Sequence, residues 1–271
     1  MGRVGYQGEP GSYSHRAVAE THPGTAAIGF DGFDAAFDAL TAGDVHRLVL
    51  PIENSTTGSV LEVLDRLAAG GASIIAEHRV EVRHALLAVP GTPPSAVERV
   101  HSHPEALAQA RRTLRERGWQ PVLSHDTAGA IRLVAERSSP ADAALGPPWA
   151  GEEHGLEVLE RDVVDLAHNT TRFVVLQAGP PSIAPDADKS SIVFSTRHQP
   201  GALAEVLASL AARGADLTRI ESRPGPTPWT YRFFVDLVHF PGPHGAAAVL
   251  EPAPGGTLEL SHLGSYRAVV R

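Results

Sequence analysis

The stretch "HRLVLPIENSTTGSVLEVLDRLAAGG", residues 46–71, indicates the fold class of the first part of this 271-residue chain. An apolar run, "LVLPI", is typical of a buried strand, and a loop of small polar residues follows it. Apolar residues then recur at helical spacing from Val60 to Leu67, and Gly70 and Gly71 come after them as a stop signal. The stretch therefore predicts a strand, a loop and an amphipathic helix.

The same pattern recurs on both sides of this stretch. "RVGYQ" precedes "GEPGSYS" and a short helical segment, "VERVHSH" precedes "PEALAQARRTLRERG", and "PVLSHD" precedes "TAGAIRLVAER". Alternation of strands and helices predicts an α/β domain with mostly parallel strands. Ligands of such domains bind at the carboxyl ends of the strands, where these polar loops are expected.

The pattern changes near residue 178. Residues 179–189 are rich in proline and poor in apolar residues, which is typical of a linker between domains. Beyond them the chain reads as strand, helix, two strands, a weaker helix at about residues 245–250, and a last strand, which is a β-α-β-β-α-β unit. The sequence thus predicts a first domain at residues 1–178, a linker, and a small second domain at residues 190–271.

Composition excludes several classes of function. The chain has no cysteine, so disulfides, thiolate nucleophiles and cysteine-ligated metals are excluded. A formal net charge of −8 argues against a nucleic-acid partner. No apolar run approaches the roughly 20 residues that a membrane helix needs, and residues 1–10 lack the apolar core of a signal peptide. We expect a soluble cytoplasmic protein with no membrane partner.

The histidines lack zinc-site spacing and no phosphate-loop motif follows a strand, so neither a metal nor a nucleotide cofactor is expected.

Five motifs occur in the order found in one enzyme family. They are "GYQGEPGSYSHRA" (5–17), "PIENSTTGSV" (51–60), "HSHPEALAQ" (101–109), "NTTRFVVL" (169–176), and "PGALAEVL" (200–207) followed by "IESRP" (220–224). With these motifs the chain resembles the monofunctional prephenate dehydratases, which have a catalytic domain followed by a regulatory ACT domain. The resemblance covers nearly the full length of the chain.

The resemblance implies both a fold and a reaction. The fold would be α/β, with a two-lobed catalytic domain similar to periplasmic binding proteins and then an α+β ferredoxin-like ACT domain. Lobe one would comprise about residues 1–77 and 163–178, and lobe two residues 78–162. The reaction would remove water and carbon dioxide from prephenate to give phenylpyruvate in phenylalanine biosynthesis, with no cofactor. Arogenate dehydratase and a non-catalytic amino-acid sensor are the alternatives.

The resemblance also implies the site residues. Thr171 would be the catalytic threonine that donates to the leaving hydroxyl, with Asn54, Ser102 and Gln109 beside it. The substrate-binding residues would be Ser12, Ser14, Glu53, Ser55, Thr127, Asn169, Thr170, Arg172 and Phe173. Helix amino termini that follow the polar loops are suited to hold the substrate carboxylates.

Some of these residues have two interpretations. In a strand, Thr171 and Phe173 would share one face while Arg172 points to the other, where it would either grip a carboxylate or anchor the motif to a neighbouring loop. Ser102 would line the cleft, cap a helix, or do both. Asp126 and Thr127 are either cap residues or walls of the site.

The ACT resemblance implies regulation. L-Phenylalanine would bind at an interface between subunits of a homodimer or homotetramer. The residues that would bind it are Pro200, Gly201, Ala202, Leu203, Glu221, Ser222, Arg223 and Pro224. The alternative is a domain that only holds the subunits together.

Overall fold

A computed structural model describes residues 2–165 and 169–269 of the chain. In chain order its strands are β1 (Arg3–Gln7), β2 (Ala26–Phe30), β3 (Arg47–Asn54), β4 (Gly58–Ser59), β5 (Ala72–Glu81), β6 (Ala85–Ala88), β7 (Arg99–Ser102), β8 (Gln120–Leu123), β9 (Asp142–Gly146), β10 (Glu157–Glu160), β11 (Thr170–Ala178), β12 (Lys189–Thr196), β13 (Asp216–Pro224), β14 (Tyr231–Val238) and β15 (Thr257–Tyr266). They form three sheets.

The helices lie between these strands. They are α1 (Tyr13–Thr21), α2 (Phe33–Ala42), α3 (Leu61–Ala69), α4 (Pro104–Gln109), α5 (Arg111–Arg117), α6 (Thr127–Arg137), α7 (Pro148–Glu153), α8 (Ala202–Ala212) and α9 (Pro243–Leu250), with a 3-10 turn at Pro94–Ala96. The strand, loop and helix predicted for residues 46–71 are β3, the loop after it, and α3. Gly70, at φ 86°, ends α3 because a residue without a Cβ adopts this conformation at no steric cost.

The first sheet has the order β2-β1-β3-β11-β5, with β4 paired to β3. β1 runs parallel to β2 and β3, but β11 is antiparallel to both β3 and β5. Four of the five strands on this path, β1, β2, β3 and β5, therefore run in the same direction, as expected, and β11 runs against them. Strand and helix alternation does not report the direction of a strand that joins the sheet from more than 100 residues later in the chain.

The second sheet, β10-β6-β9-β7-β8, is also mixed. β7 is parallel to β8 and β9, whereas β6 is antiparallel to β9 and β10. Its core contains Leu86, Val100, Leu145 and other apolar side chains of the strands and of α4 and α5. This sheet faces the first one across a cleft.

The third sheet has the order β13-β14-β12-β15 and is antiparallel throughout. With α8 and α9 it forms the expected β-α-β-β-α-β unit. The predicted fold class, α/β lobes followed by a ferredoxin-like unit, is confirmed. The boundaries proposed from the sequence for the domains, linker and lobes stay a prediction.

The third sheet packs directly against the first. Val193, Phe234 and Tyr266 belong to the same buried cluster as Ile74 of β5 and other side chains of the first sheet. At Gly264, a Cβ atom would lie 2.0 Å from the carbonyl oxygen of Ile74, so only glycine permits this approach.

Among the described residues, no helix combines the length and apolar character needed to cross a bilayer.

Candidate active site

A cleft of about 420 Å³ separates the first sheet from the second. Residues of both sheets and of their loops line it, and those used below are Gln7, Tyr13, Asn54, His84, Gln109, Thr127, Asn169 and Thr171. Asn54, at the end of β3, and Thr171, near the start of β11, are partners across the two strands. In the described part of the chain, the cleft lining contains no lysine and no arginine.

A chain of oriented amides begins at Asn54. Its Oδ1 accepts hydrogen bonds from the backbone N–H groups of Thr56 (2.9 Å) and Thr57 (3.1 Å). Because backbone N–H groups can only donate, these two bonds fix which end of the Asn54 amide is oxygen. Its Nδ2 consequently donates to Asn169 Oδ1 at 2.6 Å and to Thr171 Oγ1 at 2.9 Å.

The orientation continues through Asn169. With its Oδ1 accepting from Asn54, its Nδ2 donates to Gln109 Oε1 at 2.8 Å. The Gln109 amide is thereby turned so that its Nε2 hydrogens are free to donate elsewhere. Thr171 Oγ1 already accepts from Asn54, so its own hydroxyl hydrogen is also free. The loop after β3 thus sets two donors, Thr171 and Gln109, at the wall of the cleft.

This geometry gives Asn54 a supporting place in the site. Both hydrogens of its Nδ2 are used by Asn169 and Thr171, and its Oδ1 is used by the loop. A side chain with no free donor does not hold a substrate carboxylate. Asn54 instead fixes the position and hydrogen-bonding direction of Thr171.

Ser102 lies beneath the cleft and is fully buried. Its Oγ donates to the carbonyl oxygen of Leu145 at 2.5 Å, and it is not among the residues that line the cleft. The expectation that Ser102 caps a helix was wrong, since Ser102 is the last residue of β7. His103 caps α4, and its Nδ1 accepts from the N–H of Glu105 at 3.3 Å.

Arg172 lies on the opposite face of β11 from the cleft. Its side chain is 7% exposed and pairs with Glu53 (3.0 Å), Glu77 (3.0 Å) and Asp236 (2.5 Å). Burial alone would raise the pKa of Asp236, but the charges of Arg172 and Arg219 outweigh burial and hold the pKa of this carboxyl well below its usual range. Arg172 therefore anchors β11 to β3, β5 and β14, and it does not line the cleft.

Four other residues predicted to bind substrate also lie away from the cleft. Glu53 pairs with Arg172, and Phe173 is buried in a core of the first sheet. The N–H of Thr170 donates to Ser55 Oγ at 3.0 Å, and the N–H of Ser55 donates to the carbonyl oxygen of Thr170 at 2.9 Å. Glu53, Ser55 and Thr170 line a separate cavity on the Arg172 side of β11.

Ser12, Ser14 and Thr127 line a space of about 500 Å³ that adjoins the cleft and shares Tyr13 and Thr127 with it. Ser12 caps α1 and accepts from the N–H of His15 at 3.2 Å. Asp126 caps α6, and its Oδ1 accepts from the N–H of Gly129 at 2.6 Å. Asp126 thus caps α6 and also lines the cleft, whereas Thr127 is the first residue of α6 and lines the cleft without capping the helix.

Sequence reasoning missed Tyr13 and His84. The hydroxyl of Tyr13 donates to the carbonyl oxygen of Arg83 at 2.7 Å and lies 3.2 Å from His84 Nδ1. Burial raises the pKa of Tyr13 and lowers the pKa of His84 to about 4, so both side chains are neutral near pH 7. Tyr13 stands within the quoted "GSYS" segment, but a partner 71 positions away leaves no trace in sequence spacing.

The residues predicted to bind phenylalanine divide into two groups. Pro200, Ala202 and Leu203 line a cavity of about 390 Å³ at the start of α8, and Gly201 is the cap residue of that helix. Glu221, Ser222, Arg223 and Pro224 end the edge strand β13. Arg223 pairs with Asp65 of α3, with Nη2 to Oδ2 at 2.5 Å.

The chain matches two family models. The model described as "Prephenate dehydratase" matches residues 4–181, and the model described as "ACT domain" matches residues 190–255. The first segment contains the cleft, and the second covers the β-α-β-β-α-β unit up to α9, without its last strand β15.

Two curated relatives are similar over most of this chain. A "Bifunctional N-acyl-homoserine lactone acylase/prephenate dehydratase" of Komagataeibacter europaeus is 37% identical over 81% of this chain and 79% of its own length. "Arogenate dehydratase/prephenate dehydratase 2, chloroplastic" of Arabidopsis thaliana is 39% identical over 87% of this chain. The chain spans 65% of that plant protein.

Two solved structures have closely similar folds. One, titled as a novel type of quorum quenching acylase, GqqA, is 33% identical with a TM-score of 0.88, over 98% of both chains. The other, a prephenate dehydratase in complex with L-Phe from Arthrobacter aurescens, is 30% identical with a TM-score of 0.83, over 99% of this chain and 93% of that one. The chain belongs to the prephenate dehydratase family and carries a C-terminal ACT domain.

Proposed function

We propose that this protein is a prephenate dehydratase that converts prephenate to phenylpyruvate, carbon dioxide and water on the path to L-phenylalanine. The observation that carries the proposal is the Thr171 hydroxyl. Its oxygen accepts a hydrogen bond from Asn54 Nδ2 at 2.9 Å, which leaves its hydrogen free to donate to a molecule in the cleft.

The chemistry needs such a donor. As the ring carboxylate departs as carbon dioxide, its bonding electrons enter the ring and the C–O bond on the other side of the ring breaks. Negative charge then develops on the departing oxygen, which must receive a hydrogen bond and finally a proton. Thr171 supplies that hydrogen bond, and the bond it accepts from Asn54 makes its hydroxyl a better donor.

Neutral groups suit the rest of the substrate. Prephenate carries two carboxylates, and the cleft offers the Gln109 amide and the amino-terminal residues of α1 and α6, Tyr13 and Thr127, but no lysine or arginine among its described lining residues. Loss of carbon dioxide removes one negative charge from the ring. An arginine paired with that carboxylate would stabilise the reactant more than the transition state, so weaker neutral donors favour turnover.

The second part of the proposal concerns regulation and assembly. We propose residues 1–178 as the catalytic unit and residues 190–271 as a regulatory unit that binds L-phenylalanine near the start of α8. The complex of the Arthrobacter aurescens relative with L-Phe supports this ligand. Ile220 and Tyr231 are exposed on β13 and β14, which supports pairing of this sheet edge with a second copy in a homodimer or homotetramer.

Phenylpyruvate formation from prephenate tests the proposal, with purified protein, with and without phenylalanine, beside a parallel reaction with arogenate. We expect turnover of prephenate that phenylalanine suppresses. Arogenate has an amino group in place of the side-chain keto oxygen of prephenate. Faster turnover of arogenate would therefore identify the protein as an arogenate dehydratase. A folded protein that binds phenylalanine but turns over neither compound would be a sensor, and the proposal would be wrong.

A further inference from the structure

A second cavity, which we name the junction cavity, lies where the first and third sheets meet, on the Arg172 side of β11. It has a volume of about 420 Å³. Four cationic side chains line it, Arg79, Arg172, Lys189 and Arg219, with one acidic side chain, Glu53. The remaining lining residues carry hydroxyl groups. This lining is the reverse of the catalytic cleft, which has no lysine or arginine among its described residues.

Two of these cations lie directly opposite each other. Arg172 of β11 and Arg79 of β5 are cross-strand partners in the first sheet. Like charges at such positions destabilise a sheet. Arg172 has three acidic partners, whereas half-buried Arg79 has no hydrogen bond or ion pair to any other described residue. The Arg79 charge is therefore uncompensated.

Four cationic side chains meet three carboxylates at this junction, those of Glu53, Glu77 and Asp236. Glu77 Oε2 already accepts from Arg172 (3.0 Å) and Lys189 (2.7 Å), and its Oε1 accepts from the N–H of Val269 (2.9 Å). Asp236 accepts from Arg172, Arg219 and Ser191. Each of these two carboxylates thus accepts hydrogen bonds on both of its oxygens.

Arg219 nevertheless retains an unused donor. Its side chain is 6% exposed, and its Nη1 is buried without a hydrogen-bond partner among the described residues. A buried donor of this kind normally has a partner. Burial, and after it the charge of Arg172, lowers the pKa of Lys189, while the charges of Glu77 and Asp236 oppose this shift.

We propose that the junction cavity binds a compact oxyanion, a phosphate or carboxylate group of a small molecule, held by Arg79 beside the other cationic residues of the lining. The anion would neutralise Arg79 opposite Arg172 and balance the excess of positive charge at the junction. It would also connect β5 of the first sheet to β13 of the third sheet. Binding does not depend on the proposed reaction, but an effect on turnover through Thr170 and Arg172, the neighbours of Thr171, would rest on it.

Thermal unfolding tests the site without reference to activity. The full chain is melted in sodium chloride, in inorganic phosphate and in malonate, at matched ionic strength and pH. For a dissociation constant of about 1 mM, 50 mM of a bound anion should raise the melting temperature by about 5 °C relative to chloride. The phosphate and malonate arms distinguish the two anion types, and a rise with either one supports the site.

Matched variants separate this site from general salt effects. Phosphate stabilises many proteins by exclusion from their surface, so the decisive quantity is the difference between variants. Arg79→Gln should lose the anion-dependent rise, and in chloride it should melt at or above the wild type because the opposed charges are gone. Arg115→Gln, an exposed arginine on α5, should keep the full rise.

Two results would overturn the proposal. One is a wild type that melts at the same temperature in all three salts. The other is an equal rise in the wild type and in Arg79→Gln, which would show the effect of an adventitious or excluded ion. Circular dichroism of Arg79→Gln in chloride checks that this variant is folded, and titration calorimetry with phosphate repeats the comparison at one temperature.

Discussion

The two faces of β11 use opposite kinds of polar chemistry. On one face, Asn169 and Thr171 join a relay of neutral amides and hydroxyls at the cleft. On the other face, Arg172 is the centre of a buried cluster of charges that joins the first sheet to the third. Side chains of a strand alternate between its faces, so adjacent residues serve these two regions with no shared contact.

The difference follows from what each region must do. Paired charges that are fully buried hold two elements in one relative position, and breaking such a pair is costly. Neutral donors at the cleft bind an anion more weakly, which suits the proposed substrate because it loses a charged group as it reacts. The motif therefore provides an anchor on one face of β11 and a hydrogen-bond donor to the cleft on the other face.

The largest expected effect is a difference in kcat between variants of Thr171 and Thr170, whose hydroxyls lie on opposite faces of β11. Thr171→Val removes the donor at the cleft and should lower kcat roughly 10²- to 10⁴-fold, the usual contribution of one positioned proton donor. Thr170→Val removes a hydroxyl from the other face and should leave kcat within about twofold. Steady-state kinetics with prephenate, with urea midpoints to verify folding, make the comparison. Equal losses in both variants would contradict the assignment of faces.

The next effect concerns the stability of the charged face. Arg172→Met removes one cationic partner from Glu77 and from Asp236, which keep Lys189 and Arg219 as partners, and should lower the free energy of unfolding by about 1.5–3 kcal/mol. The matched control is Arg223→Met, because the Arg223–Asp65 pair joins the same two units but its side chains are 23% and 41% exposed. Loss of a pair so accessible to water should cost less than about 1 kcal/mol. Urea unfolding of both variants gives the values, and similar losses would show that burial does not decide the cost.

The third effect concerns His84, a buried neutral side chain that lines the cleft. His84 is 3% exposed, and burial lowers its pKa to about 4 from an ordinary value near 6.5. Between these pH values the unfolded chain binds more protons than the folded one, so the free energy of unfolding falls as the pH is lowered. The His84 contribution to that fall is about 3 kcal/mol.

His84→Asn should flatten the dependence of stability on pH between about 6.5 and 4, as measured by urea midpoints at several pH values. The control is His125→Asn, since the His125 side chain is 94% exposed and faces the same cleft. That variant should keep the slope of the wild type. An unchanged slope in His84→Asn would mean that His84 is protonated in the folded protein.

The sequence predicts those features that depend on local pattern. The alternation of a strand places Thr171 and Arg172 on opposite faces, as the structure has them. The spacing of apolar residues and prolines after residue 189 predicts the β-α-β-β-α-β unit. In both cases the decisive residues are close together in the chain, so periodicity is enough.

The remainder depends on contacts between distant segments. Ser102 reads as a cap, but β7 extends to it and its hydroxyl bonds Leu145, 43 positions away. The partners of Arg172 lie 64 to 119 positions away. The motif alone therefore does not show whether Arg172 binds a substrate or anchors β11. The direction of β11 in its sheet is hidden for the same reason.

The close approach of Gly264 to Ile74 has a consequence for modularity. Here one unit brings Gly264 and Asp236 to the junction, and the other brings Ile74 and Arg172. A chimera that exchanges the ACT unit would therefore have to supply both a glycine at the position of Gly264 and a buried carboxylate at the position of Asp236.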